Sequence, residues 1–173
     1  ITVSGGTLSN FAGSGTNYIA TFTPAANSTT NGVVSVPTGV FTNAIGNANA
    51  DGSEANNSVT FSVDTVVPTI SLSSNKTNLI TGDSTTLTFT LSEASTTFTA
   101  SDVTVAGGTI SNFAGSGTTY TATFTPTANS TASGIVSVAS GVFIDAAGNA
   151  NADGSDANNL LSIVVDTVAP TVS

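Results

Sequence analysis

The chain has 173 residues, of which only 6% are charged, and ten acidic residues against one basic residue give a formal net charge of −9. Nucleic acids and anionic lipids are bound by Lys and Arg, so this balance excludes both classes of partner. The chain has no Cys and no His, which excludes disulfides, thiolate metal sites and the usual general base. No apolar run is long enough to insert into a membrane as a helix.

Thr, Ser, Asn, Ala, Gly and Val take the place of the missing charges. Thr and Val favour strands, whereas Gly and Asn favour turns. The apolar residues show no sustained period of 3.6, so long helices are not expected. The composition therefore predicts an all-β fold. Isolated carboxylates without basic partners also suggest a hard divalent cation with oxygen ligands, namely Ca²⁺.

An internal repeat sets the domain organisation. Residues 1–71 match residues 103–173 at a fixed offset of 102 positions, with 49 identities and no gap. A period of about 102 residues is too long for a solenoid unit and is typical of whole domains in tandem. We expect residues 1–66 to be the C-terminal part of a preceding repeat that lacks its first two strands. Residues 67–166 then form a complete repeat, and residues 167–173 begin a following one.

Taken in chain order, the complete repeat contains seven short candidate strands separated by Gly-, Asn- and Asp-containing turns. In the second strand Leu87, Phe89 and Leu91 alternate with Thr, which is the period of a strand with one buried face. Seven antiparallel strands in about 100 residues predict tandem immunoglobulin-like β-sandwich domains. The predicted strands are Thr69–Ser73, Ser84–Ser92, Asp102–Ala106, Thr109–Phe113, Thr119–Thr125, Gly134–Val138 and Leu160–Val165.

The segment from Val63 to Thr69 returns as Val165 to Thr171 and is interpreted as a joint between domains. Pro68 fixes its own φ and pushes the preceding residue into an extended conformation, which stiffens the joint. Asp64 lies just before this proline and is a candidate ligand for an ion that holds two domains in one orientation.

If successive strands alternate in direction, four acidic residues meet at one end of the sandwich. They are Asp64, Glu93, Asp102 and Asp145. Four converging carboxylates without a basic partner repel one another, and a Ca²⁺ ion, which takes about six to eight oxygens, removes that repulsion. Asn149 and backbone carbonyls can complete the shell, and Asp166 is expected to act in the same way at the next joint. The alternative is that each acid only caps a turn and stays solvated.

The loop that starts at Asn149 is similar to the beginning of an EF-hand loop, but its twelfth position is Leu160 instead of the bidentate Glu. The loop is therefore interpreted as a solvated connection between strands, with Asp153 or Asp156 as an additional metal-ligand candidate in the alternative interpretation. The preceding repeat has Asn43 where the complete repeat has Asp145, so the sites need not be equal along an array.

Four motifs resemble bacterial immunoglobulin-like repeats from the extender regions of giant repeats-in-toxin adhesins. They are Leu91-Ser92-Glu93, Ala100 to Val105, Phe143 to Asn149 and Asp166 to Thr171. This resemblance implies that Ca²⁺ at the joints stiffens the array, with Asp64, Glu93, Asp102, Asp145 and Asp166 as ligands. It also implies type I secretion, an extracellular location at the bacterial cell surface, and a role in cell adhesion and biofilm formation.

The leading functional hypothesis is a structural spacer whose partners are the neighbouring repeats of the same chain. One alternative is a module that binds carbohydrate or protein. Another is a filament with other copies of the chain, completed by strand exchange, because residues 1–66 lack two strands and would leave an open sheet edge. No enzymatic activity is expected, since a Ser/His/Asp arrangement needs His and nothing specific indicates a catalytic carboxylate pair.

Overall fold

The computed structural model describes residues 1–52 and 54–172, which fall into two compact units, residues 1–66 and 67–173. Ser173, the last residue of the predicted following repeat, lies outside the described residues. Apart from three short 3₁₀ turns, the regular structure of the described part is β-strand. This confirms the predicted all-β, immunoglobulin-like sandwich. The 3₁₀ turns are Ala55–Asn57, Ala100–Asp102 and Ala157–Asn159.

The described residues of the first unit form five strands. They are β1 (Thr2–Ser4), β2 (Gly6–Ser14), β3 (Asn17–Pro24), β4 (Gly32–Ser35) and β5 (Ser58–Phe61). Strands β1, β4 and β5 form one antiparallel sheet in that order, and β2 and β3 form a hairpin.

In residues 67–172 of the second unit, seven strands are arranged in two sheets. They are β6 (Ile70–Ser74), β7 (Asn78–Ile80), β8 (Thr85–Ser95), β9 (Val103–Ala106), β10 (Gly108–Pro126), β11 (Gly134–Val138) and β12 (Leu160–Asp166). One sheet has the order β10-β8-β6 and the other has the order β7-β12-β11-β9. All pairs are antiparallel except β7 with β12, which is parallel. This one parallel pair involves β7, which is not among the predicted strands.

The core of the second unit follows the alternation seen in the sequence. Leu87, Phe89 and Leu91 are buried on one face of β8, while the intervening residues are exposed or half-buried. They belong to one apolar cluster with Phe124 and Ile163, which lie in the β10 and β12 strands. Full burial of each such side chain stabilises the fold by about 1.5–3 kcal/mol.

An aromatic cluster fills one part of this core. The ring of Phe98 makes edge contacts with the rings of Tyr120 and Phe143, with centroid distances of 5.2 and 5.3 Å. Tyr120 is buried, and its hydroxyl donates a hydrogen bond to the backbone carbonyl of Ser95 at 2.6 Å. Tyr120 is therefore a core residue of the second unit.

Two details of the strand prediction were incomplete. Strand β7 was not predicted, because Asn78, Leu79 and Ile80 are too short a run to show a period. The predicted strands Thr109–Phe113 and Thr119–Thr125 belong to one assigned segment, β10. The two halves of β10 lie side by side, because Gly108 near its start lies against the carbonyl of Thr125 near its end. The first unit has the equivalent arrangement as a hairpin, in which Gly6 pairs with Pro24.

The repeat positions that form the core of the second unit are more open in the first unit. Tyr120 is 5% exposed whereas its counterpart Tyr18 is 56% exposed. Phe143 is 2% exposed and its counterpart Phe41 is 59% exposed. In the second unit the strands β6, β7 and β8 complete the sandwich around these side chains. The described strands of the first unit contain no equivalents of those three.

Candidate metal centre

Asp145 organises the turn that follows β11. Its Oδ1 accepts hydrogen bonds from the backbone N–H groups of Ala147, Gly148 and Asn149 at 2.8, 2.7 and 2.9 Å. Its Oδ2 accepts one from the side-chain amide of Asn149 at 2.8 Å. Asp145 is 6% exposed. A Gly with positive φ, Gly148, allows the chain to close this turn around the carboxylate.

Opposing influences act on the pKa of Asp145. Burial works to raise it, because it disfavours the charged form. The side-chain and backbone hydrogen bonds from Asn149, together with those from Gly148 and Ala147, outweigh burial and hold the pKa below its ordinary value. The carboxylate is therefore ionised at neutral pH.

The first unit shows what this turn requires. There Asn43 occupies the equivalent position, and its Oδ1 accepts hydrogen bonds from the backbone N–H groups of Ile45 and Asn47 at 3.2 and 3.0 Å. A neutral amide oxygen thus caps the same turn. Because turn formation does not depend on a negative charge, the charge at Asp145 is available for another purpose.

Glu93 brings a second carboxylate to Asp145. It lies near the end of β8, two residues beyond Leu91, which pairs with Ile70 at the beginning of β6. A carboxylate oxygen of Glu93 lies within 4.8 Å of one of Asp145. The chain's single basic residue, Lys76, forms its ion pair elsewhere, with Asp83 at 3.1 Å. Two acidic groups at this distance repel each other unless a cation lies between them or one is protonated.

The other predicted ligands also accept local hydrogen bonds. Asp64 and Asp166 each accept a hydrogen bond at 3.2 Å from the backbone N–H two residues further on, Val66 and Val168. Asp102 is part of a capping box, and its Oδ2 accepts from the backbone N–H and the hydroxyl of Thr99. Asp102 is not among the acidic residues whose carboxylate oxygens lie within 4.8 Å of one another, and its role as a metal ligand stays a prediction.

Strand direction separates Asp166 from this pair. Strands β11 and β12 are antiparallel, with Gly134 opposite Ile163 and Ser137 opposite Leu160. Asp145 follows the end of β11, whereas Asp166 is the last residue of β12. The two carboxylates therefore lie at opposite ends of the second sandwich. This is the arrangement expected if Asp166 is a metal ligand at the following joint.

Asn149 contacts Asp145 directly, as described above, whereas Asp153 lies in the connection between β11 and β12 and is 7% exposed. Sequence reasoning named both residues but overlooked Asn159, whose side-chain amide donates a hydrogen bond to the backbone carbonyl of Asp153 at 2.5 Å. The only signal for Asn159 was its repetition as Asn57 in the preceding unit, where the same contact to Asp51 is formed.

Comparison with family models decides the relationship. The model of the bacterial Ig-like domain matches residues 1–63 and again residues 64–162. The chain belongs to the bacterial Ig-like domain family. A search of curated proteins and a search of solved structures each gave no match.

Bacterial Ig-like domains are typically not enzymes and are typical of surface or extracellular repeat modules. Within residues 1–52 and 54–172, the structure contains no helix that is long and apolar enough to cross a membrane. The family therefore supports the coarse reading of the chain as a repeat module.

Proposed function

We propose that this pair of bacterial Ig-like domains is an extender segment of a bacterial cell-surface adhesin, stiffened by Ca²⁺ at the joint between its domains. The observation that carries the proposal is the approach of Glu93 and Asp145 to within 4.8 Å in a chain whose sole basic residue is engaged elsewhere. Ca²⁺ accepts carboxylate oxygens in flexible geometry and neutralises this pair.

The joint itself supplies the third ligand in this proposal. Five residues separate Asp64 from Ile70, where β6 begins beside the strand that carries Glu93. The extended chain therefore keeps Asp64 within about 22 Å of Ile70, and Pro68 reduces the freedom of the segment between them. A carboxylate on such a short, stiff tether has a high effective concentration at the Glu93–Asp145 pair.

The function of the ion is mechanical. Ca²⁺ that binds only the folded, joined arrangement stabilises it by mass action, and a stiff joint turns a chain of domains into an extended spacer. Such a spacer projects a distant binding module away from the cell and thereby supports adhesion and biofilm formation. Since Asp166 repeats Asp64, the same joint is expected after the second domain.

Calorimetric titration of Ca²⁺ into the full chain tests the ion directly. We expect a binding event in the wild type that is weakened at least tenfold by Glu93→Gln, because the substitution removes one charge of the pair. Glu54→Gln is the matched control, since Glu54 is an exposed acid of the first unit. Equal Ca²⁺ affinity in the wild type and Glu93→Gln would refute a site at this pair.

A second candidate function is a filament formed by strand exchange between copies. Its support is the set of large apolar side chains that are exposed in the first unit, including Phe11, Tyr18 and Ile19 on the β2–β3 hairpin. In the second unit the equivalent edge of β10 pairs with β8. Light scattering on size-fractionated protein separates the two functions: a monomer at high concentration excludes the filament, whereas regular multimers support it.

A further inference from the structure

Two buried side-chain oxygens in the second unit accept no hydrogen bond from the described part of the chain. They are Oδ1 of Asp153 and Oδ1 of Asn159, and no partner for either is found among the described residues. Asp153 is 7% exposed and Asn159 is 1% exposed. A buried polar atom without a partner has lost its hydrogen bonds to water and gained none in exchange, which destabilises the fold. Two such atoms in one unit therefore indicate a missing partner.

Each side chain is anchored through its other polar atom, and one of these bonds joins the side chain of Asn159 to the backbone of Asp153. Oδ2 of Asp153 accepts a hydrogen bond from the backbone N–H of Ile70 at 2.7 Å. The Nδ2 of Asn159 donates to the backbone carbonyl of Asp153 at 2.5 Å. This contact fixes which end of the amide is oxygen, because a flipped amide would place its oxygen against the same carbonyl.

The chemistry of these two oxygens fits a cation. Buried carboxylates are hydrogen-bonded, paired with a cation or coordinated to a metal, and the chain's single basic residue, Lys76, pairs with Asp83 instead. A water molecule that donates to both oxygens is the competing occupant, and the experiments below distinguish the two. Carboxylate and amide oxygens are ligands that a hard cation such as Ca²⁺ takes.

We propose that Oδ1 of Asp153 and Oδ1 of Asn159 bind a second Ca²⁺ ion, buried within the second domain. Water and backbone carbonyls supply the rest of such a shell. Because Asp153 also holds the N–H of Ile70 at the start of β6, the ion ties the β11–β12 connection to the first strand of the domain. It stabilises the fold of one domain, whereas the joint ion acts between domains.

The first unit supplies a matched control. Asp51 and Asn57 occupy the equivalent positions, and the side-chain amide of Asn57 again donates to the backbone carbonyl of Asp51. Asp51 is exposed, and no counterpart of the Ile70 N–H is found at its carboxylate in the described residues. We expect the buried ion at Asp153 and no equivalent ion at Asp51.

Equilibrium dialysis of the full chain against radioactive calcium counts the bound ions. Asp153→Asn is expected to bind one ion fewer than the wild type, whereas Asp51→Asn binds the same number. Glu93→Gln keeps the Asp153 ion, so loss of the joint site and loss of this site are distinguishable. An unchanged count in a folded Asp153→Asn variant would overturn the proposal.

A wild-type measurement covers the case in which Asp153→Asn fails to fold. Crystals of the full chain in CaCl₂ are expected to show an anomalous calcium peak in contact with Oδ1 of Asp153 and Oδ1 of Asn159. Density at this position that has hydrogen-bonding distances and no anomalous signal would identify a water molecule and overturn the proposal.

Discussion

At the scale of single residues, the two copies of the repeat act as internal controls for each other. Asn43 and Asp145 cap the same turn through Oδ1, so the comparison separates the hydrogen bonds of the turn from the charge of the carboxylate. The sequence alone shows that Asn43 is replaced by Asp145 in the second repeat. It does not show whether the charge has a function, because Asp and Asn are both ordinary turn residues. Only the position of Glu93 beside Asp145 gives the charge a role.

The charge of Asp145 predicts a pH dependence of stability in the presence of chelator. The pKa of Asp145 in the folded state lies below its ordinary value, so folding favours the ionised form. The resulting stability is fully present above about pH 4 and is lost as pH falls through the folded pKa. Urea unfolding between pH 2 and pH 7 is expected to show a smaller acid loss in Asp145→Asn than in the wild type.

Asp83 also has a lowered pKa, caused first by its hydrogen bond with Lys76, so Asp145→Asn is expected to keep part of the acid dependence. Identical pH profiles for the wild type and Asp145→Asn would contradict the hydrogen-bonded, ionised state described for this carboxylate.

The buried hydroxyl of Tyr120 predicts a second residue-level effect. Tyr120→Phe removes the donor to the carbonyl of Ser95 and is expected to cost about 1–3 kcal/mol, because the buried acceptor loses its partner. Tyr18→Phe changes the equivalent exposed residue and is expected to stay within about 0.5 kcal/mol. Urea unfolding of both variants measures the difference, and equal costs would show that the Ser95 bond contributes nothing.

At the scale of the element, alternation in the sequence located the strands with a buried face. The pattern of Leu87, Phe89 and Leu91 placed β8 and its inward side correctly, because side chains in a strand alternate between faces. It could not locate β7, in which one buried residue, Leu79, lies between two exposed ones. The parallel pairing of β7 with β12 depends on how the whole sandwich packs. No local sequence pattern predicts it.

Core burial on these elements predicts unequal costs for one substitution in the two repeats. Phe124→Ala removes a fully buried ring and is expected to cost about 3–5 kcal/mol. Phe22→Ala removes the half-buried equivalent, which is stacked on Phe61, and should cost clearly less. Hydrogen exchange at the amides of β8 and of β4 reports each unit separately. An equal or larger loss for Phe22→Ala would contradict the difference in packing.

At the scale of the whole molecule, the repeat and the one-sided charge predicted a tandem array and a hard cation, and the family match supports the array. Sequence reasoning also named Glu93 and Asp145 from strand direction alone. It grouped Asp102 with them because it lies before β9, but the capping box with Thr99 engages that carboxylate. A capping interaction of this kind depends on a local turn that a strand pattern does not describe.

The buried pair of Asp153 and Asn159 was the least predictable part. Asp153 was named only from a partial motif, and Asn159 was not named at all. Burial of these polar residues arises from the packing of the β11–β12 connection against the start of β6, which brings together positions 83 residues apart, Asp153 and Ile70. No local pattern encodes such a contact.

The most direct test of the central claim is solution scattering of the full chain with Ca²⁺ and then with chelator. If Ca²⁺ at Asp64, Glu93 and Asp145 stiffens the joint, the wild type becomes longer and more uniform in length with Ca²⁺. Asp64→Asn then shows the same scattering in both conditions, and Glu54→Gln behaves as the wild type does. A wild-type profile that is identical with Ca²⁺ and with chelator would contradict the calcium-stiffened spacer.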